Sequence, residues 1–85
     1  MENYQRAEQA LTDYQQIFPD RYTPHALRSI LLITLENQKS QDDRDYSQAV
    51  SEYELAGTLI KSSDDTTYYQ QLEALINSLR TNGWL

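Results

Sequence analysis

One stretch constrains this chain more than any other. Ala26 to Leu35, ALRSILLITL, is the single long apolar run in a polar sequence. At about 100° per residue, Leu27, Ile30, Leu31 and Leu35 form one continuous side of a helix. Leu32 widens that side in one direction and Ile33 in the other. Arg28, Ser29 and Glu36 hold most of the remaining polar surface, with Arg28 close to the apolar side. A helix apolar over more than half its circumference is normally buried on several sides. The rival is a buried strand, because SILLITL holds two Ile and a Thr. Thr23-Pro24, an N-cap followed by Pro at the first helical position, favours the helix. So does the lack of a second strand to pair with it.

The flanking segments carry helical periodicity too. A first helix is predicted over 3–18, with Tyr4, Ala7, Leu11, Tyr14 and Phe18 at three- and four-residue spacing and Ile17 widening the stripe. Pro19 ends it. The apolar run makes a second helix over 24–38, followed by the longest connection, NQKSQDDRD. A third helix over 46–61 carries Tyr46, Ala49, Val50, Tyr53 and Ala56, closed by Leu59 and Ile60. Asp45 is its N-cap candidate, with Gln48 as the capping-box partner. Gly57 inside it costs about 1 kcal/mol against Ala, which is tolerable where another helix passes close. A fourth helix over 65–81 carries Tyr68, Leu72, Leu75, Ile76 and Leu79, with Tyr69 at the edge. A left-handed Gly83 after it would fold Trp84 back onto Leu79. The expectation is an all-α single domain over 1–85. Its four antiparallel helices form a bundle or two stacked helical hairpins.

The first and third helices overlay at an offset of 42 residues, Tyr4 on Tyr46, Ala7 on Ala49, Leu11 on Tyr53 and Phe18 on Ile60. Ile30 falls on Leu72 and Ile33 on Leu75 at the same offset. Ala49, Tyr53 and Ala56 follow a small–large–small spacing, and Ala7 and Leu11 lead to Pro19 and Asp20 in a related one. In these features the chain resembles the tetratricopeptide repeat family, whose repeat is about 34 residues. Lys61 stands where that pattern has Pro, Tyr14 replaces the second small residue, and the Trp-Leu-Gly-Tyr pattern is absent from Ala26–Leu35. The resemblance implies packed helical hairpins that serve as a scaffold for peptide or protein binding.

Composition narrows the function classes. With thirteen acidic and seven basic residues the net charge is -6, so there is no basic patch for direct nucleic-acid binding. There is no Cys, which removes disulfides, thiol catalysis and thiolate metal sites and fits a cytoplasmic setting. MENYQRAEQ is polar and does not read as a signal peptide. No run reaches the roughly 18–20 apolar residues needed to span a bilayer.

Candidate chemistry is sparse. Asp43 to Glu54 has the spacing of a calcium loop, with Asp43, Asp45 and Ser47 at the first ligand positions. Gln48, however, stands where that loop needs Gly, and Tyr46, Ala49, Val50 and Tyr53 read as continuous helix. His25 is the only histidine and has no acidic neighbour at ligand spacing, which predicts a surface or capping role. Asp42-Asp43 and Asp64-Asp65 lie at helix starts, where carboxylates serve as caps. No cofactor, metal site or enzyme is expected. Of the seven tyrosines, Tyr4, Tyr14, Tyr46, Tyr53 and Tyr68 fit core edges, and Tyr22 and Tyr69 fit exposed positions.

The leading expectation is a non-enzymatic protein–protein interaction module, an adaptor or regulator. It would self-associate, as a homodimer for instance, through the apolar second helix. Leu32 and Ile33 on its flanks, with Phe18, Tyr22, Tyr69 and Trp84, are the candidate contact residues. The alternative is a small acidic inhibitor or nucleic-acid mimic of the kind phages and mobile elements encode. Asp42, Asp43, Asp45, Glu52 and Glu54 would then occupy a basic groove in the place of phosphates.

Overall fold

Hydrophobic periodicity and the two prolines translate directly into helices. A computed structural model describes residues 2–85 and contains α1 (Glu2–Ile17), α2 (Thr23–Asn37), α3 (Ser47–Leu59) and α4 (Thr67–Thr81). A short 3-10 turn, Gln41–Asp43, lies between α2 and α3, and there is no strand among the described residues. The all-α expectation is met, with boundaries within about two residues of those expected.

The helix ends follow the local sequence at most positions, with two of the caps shifted by one residue. α1 stops before Pro19, with the Phe18 amide still donating to the Tyr14 carbonyl at 2.9 Å. α2 begins one residue earlier than expected. Tyr22 takes the capping position without a side-chain bond, Thr23 is already helical, and Pro24 sits in the first turn. At α3, Tyr46 takes the capping position. The Asp45 carboxylate still accepts from the Ser47 amide at 2.9 Å, and Gln48 makes no capping box. Asp65 likewise accepts from the Thr67 amide at 3.0 Å ahead of α4. The last helix closes as expected: Gly83 has φ 84, and the Trp84 amide donates to the Leu79 carbonyl at 2.9 Å.

α2 is the hub. It packs most extensively on α3, then on α4, then on α1, whereas α3 and α4 meet each other only briefly. Contacts run in opposite order along each consecutive pair. Arg28 meets Glu8 while Arg21 meets Phe18, so α1 and α2 are antiparallel. His25 meets Glu52 while Glu36 meets the Asp45 amide, so α2 and α3 are antiparallel as well. Tyr53 stacks on Tyr69 while Tyr46 meets Trp84, which orients α4 against α3.

The core is built from Tyr22, Ala26 and Ile33 of the α2 segment, Tyr46, Ala49 and Ala56 of the α3 segment, and Leu72, Ile76 and Leu79 of α4. Residues 3–17 of α1 contribute no buried side chain. The whole measures 37 × 30 × 17 Å, a slab and not a closed cylinder. α1 therefore lies on the outside of a three-helix core, held by α2.

Candidate partner-docking groove

The question raised by Ala26–Leu35 is what covers each side of α2. Ala26, Ser29, Ile33 and Glu36 recur at three- and four-residue spacing and form the buried side. Ala26 and Ser29 are small and fully buried, and the Ser29 hydroxyl donates to the Ala49 carbonyl of α3 at 2.6 Å. Ile33 is only 1% exposed and belongs to the core. It therefore leaves the set of candidate contact residues: its side of α2 is already filled by α3 and α4.

A second side is fixed by Arg28. Its guanidinium donates through Nε to Glu8 at 2.8 Å, through Nη1 to Gln15 at 2.7 Å and through Nη2 to Thr12 at 3.4 Å. Glu8, Thr12 and Gln15 share one face of α1, so a single cation clamps about two turns of that helix. The guanidinium also lies 4.0 Å from Glu52 of α3. Glu52 in turn meets His25, whose Nδ1 is 2.6 Å from its Oε2. His25 is 4% exposed, so the surface or capping role does not hold; its partner lies on another helix, where sequence spacing does not reveal it. A buried His against a carboxylate has the form of an orienting pair in acid–base catalysis. Here the ring is shut off from solvent, and the pair ties α2 to α3.

Leu32 is half-buried. It lies in a mixed cleft of about 380 Å³ between α1 and α3, with Tyr4, Gln48 and Ser51 around it and Glu8, Arg28 and Glu52 at the charged end. One Glu8 oxygen is buried in this region without a hydrogen-bond partner.

The remaining side of α2 is open. Leu27, Ile30, Leu31 and Thr34 form one wall of a groove of about 390 Å³, and Ala7, Ala10 and Leu11 of α1 form the other. Among the described residues, no charged side chain lines it. Arg28 is the reason it exists: by clamping the polar side of α1, it turns Ala7 and Ala10 toward the groove. At the far end of α1, Ile17 and Phe18 stand exposed beside a polar recess with Arg21, Lys61 and Asp64. Arg21 lies over the Phe18 ring, 5.0 Å from its centroid.

The other candidate contact residues are scattered. Tyr22 is 3% exposed, and its hydroxyl donates to the Asp65 carbonyl, so the expectation of an exposed Tyr22 is corrected. Tyr69 is half-buried, stacked on Tyr53 at 5.4 Å and edge-on to Tyr22 at 6.3 Å. Tyr68 is the exposed tyrosine of that pair, so the buried stripe of α4 runs Tyr69, Leu72, Ile76, Leu79. Trp84 packs edge-on to Tyr46 at 5.5 Å with Arg44 over its ring at 5.3 Å. Arg44 also donates to the carbonyls of Lys39 and Asn37, closing the C-terminal end of α2. Of the six, Phe18 is exposed, Leu32, Tyr69 and Trp84 are half-buried, and Tyr22 and Ile33 are enclosed.

The acidic face is less continuous than expected. Asp42, Asp43, Asp45 and Glu54 are exposed, but Glu52 turns inward to His25 and Arg28. Asp43 accepts from the Ser40 hydroxyl at 2.7 Å, and Asp45 caps α3. Ser47 to Glu54 lie within α3, so the calcium-like spacing does not close into a loop. Among the described residues, no group of His, Asp and Glu is arranged to hold a metal ion.

No protein-family model, no curated protein and no solved structure matches the chain. No described helix is long and apolar enough to cross a membrane.

Proposed function

We propose that the chain is a non-enzymatic protein–protein interaction module, an adaptor or regulator, that docks an apolar surface of its partner between α1 and α2. The observation that carries this reading is the groove itself: a lining without charge among the described residues, in a chain with thirteen acidic and seven basic residues. Uncharged, concave and helix-walled surfaces suit the apolar face of another helix. The hairpin resemblance supports the same role. The absence of Cys fits a cytosolic setting. Acidic mimicry of nucleic acid is the less favoured reading, because the inward turn of Glu52 interrupts the row of carboxylates on α3.

The test is a methyl-resolved NMR titration with two amphipathic helical peptides, one with an uncharged rim and one basic. The uncharged peptide is expected to shift the methyls of Leu11, Leu27, Ile30 and Leu31, with an affinity that salt leaves nearly unchanged. A response confined to residues 42–54, seen only with the basic peptide and weakening steeply with salt, would favour mimicry instead.

A further inference from the structure

α1 stands apart from the core. The buried cluster and the half-buried apolar side chains packed against it all come from residue 22 onward. The core of α2, α3 and α4 is therefore complete without α1. The connection between α1 and α2 is pinned at one end. Pro19 ends the hydrogen-bond ladder of α1, and a single turn follows, in which the Arg21 amide donates to the Phe18 carbonyl at 3.2 Å. Tyr22 is then locked in place, buried with its hydroxyl on the Asp65 carbonyl. Residues 18–21 are left as a short hinge.

The clamp that holds α1 has a second resting place. Arg28 donates through Nε to Glu8 Oε1 at 2.8 Å, and its Nη1 lies 4.0 Å from Glu52 Oε1 of α3. His25 takes the other Glu52 oxygen, so Oε1 is the one that faces the guanidinium. The docked arrangement also carries a cost, because the second Glu8 oxygen is buried without a hydrogen-bond partner. When α1 swings out, Glu8 regains water and the guanidinium closes on Glu52, so neither charge is left bare. Two arrangements that each satisfy Arg28 are what a two-state element requires.

We infer that α1 is a hinged wall: it swings as one unit about residues 18–21, Arg28 exchanges Glu8 for Glu52, and the groove exists only while α1 is docked. The inference rests on the docking reading of the groove and adds its regulation. With α1 out, Leu27, Ile30 and Leu31 form one wall without the other, and a partner that needs both walls binds the docked form alone. Its apparent affinity then scales with the docked fraction. A helix of 16 residues that is not Ala-rich is marginal in water, so α1 unwinds as it leaves.

Native-state amide hydrogen exchange on the full chain reads this helix by helix. The α1 amides are expected to share one opening equilibrium, more open than those of α2, α3 and α4. Arg28→Met keeps a packed stem and removes the clamp. It is expected to speed α1 exchange by about tenfold or more and to leave α3 and α4 unchanged. Glu52→Gln weakens the second resting place, so it is expected to slow α1 exchange, the opposite of what a merely structural ion pair gives. Protection lost from all four helices together under Arg28→Met overturns the hinge, because α1 is then part of one cooperative unit. Faster α1 exchange under Glu52→Gln overturns the exchange of partners at Arg28. The uncharged peptide is expected to bind Arg28→Met more weakly, by the measured loss of docked fraction, and full affinity with α1 open overturns the gate. An α1 that opens as described beside groove methyls that ignore the peptide overturns the docking reading and leaves the hinge standing.

Discussion

At Gly57 two opposing local energies can be compared. Gly inside a helix is worth about 1 kcal/mol less than Ala, so Gly57→Ala in isolation should stabilise α3. A Cβ at this position would lie 2.9 Å from the Tyr69 hydroxyl oxygen. That ring is stacked on Tyr53 and braced edge-on by Tyr22, so it has little room to retreat. Overpacking of this kind costs about 1–3 kcal/mol, which outweighs the propensity gain. Gly57→Ala is therefore expected to lower the denaturant midpoint. In a Tyr69→Phe background, where the clashing oxygen is gone, the same change is expected to raise it. Stabilisation by Gly57→Ala alone would contradict the packing. The close approach at Gly57 was legible in the sequence, because a glycine mid-helix needs a reason. The partners of Tyr22 and His25 were not: Asp65 and Glu52 stand 43 and 27 residues away, and no periodicity relates them.

The helices themselves were readable because each carries a stripe at helical spacing and ends at Pro19, at a polar turn or at Gly83. The starts of α3 and α4 depend on carboxylates, and this makes them sensitive to acid. Asp45 is held below its ordinary range by the Ser47 amide and hydroxyl, and Asp65 by the Thr67 hydroxyl and amide. Glu36 is lowered first by Lys39, 2.7 Å away, and then by the Asp45 amide. A carboxyl whose pKa is lower folded than unfolded adds stability that is fully present above its unfolded value. That stability disappears as pH falls through the folded one. The melting temperature is thus expected to be level above about pH 5 and to fall below about pH 4. Asp45→Asn with Asp65→Asn should flatten this acid slope, since Asn still accepts the amide bond but does not titrate there. At the alkaline end, burial first and the Tyr53 hydroxyl second push the Tyr69 phenol up to about 12. A raised phenol pKa favours the fold up to about pH 10 and loses its contribution as the pH rises toward 12.

Across the whole molecule, the apolar run at Ala26–Leu35 is the organising element, as its composition required. Which side stays open was not legible. Leu32 and Ile33 flank the run symmetrically on a helical wheel, and only the crossing of α3 and α4 decides that Ile33 is enclosed. The clue to the open side was Arg28, whose position near the apolar face matches Glu8, Thr12 and Gln15 along one side of α1. That clamp turns Ala7 and Ala10 toward Leu27, Ile30 and Leu31 and leaves the groove exposed. The central proposal is that α1 is an outer helix whose open side docks a partner. Amide hydrogen exchange with and without the uncharged helical peptide tests this most directly. Without peptide the α1 amides are expected to exchange faster than those of α2. They should slow when the peptide is added, while the interior of α3 and α4 stays unchanged. Equal protection of α1 and α2 without peptide, or new protection confined to residues 42–54, would contradict the account.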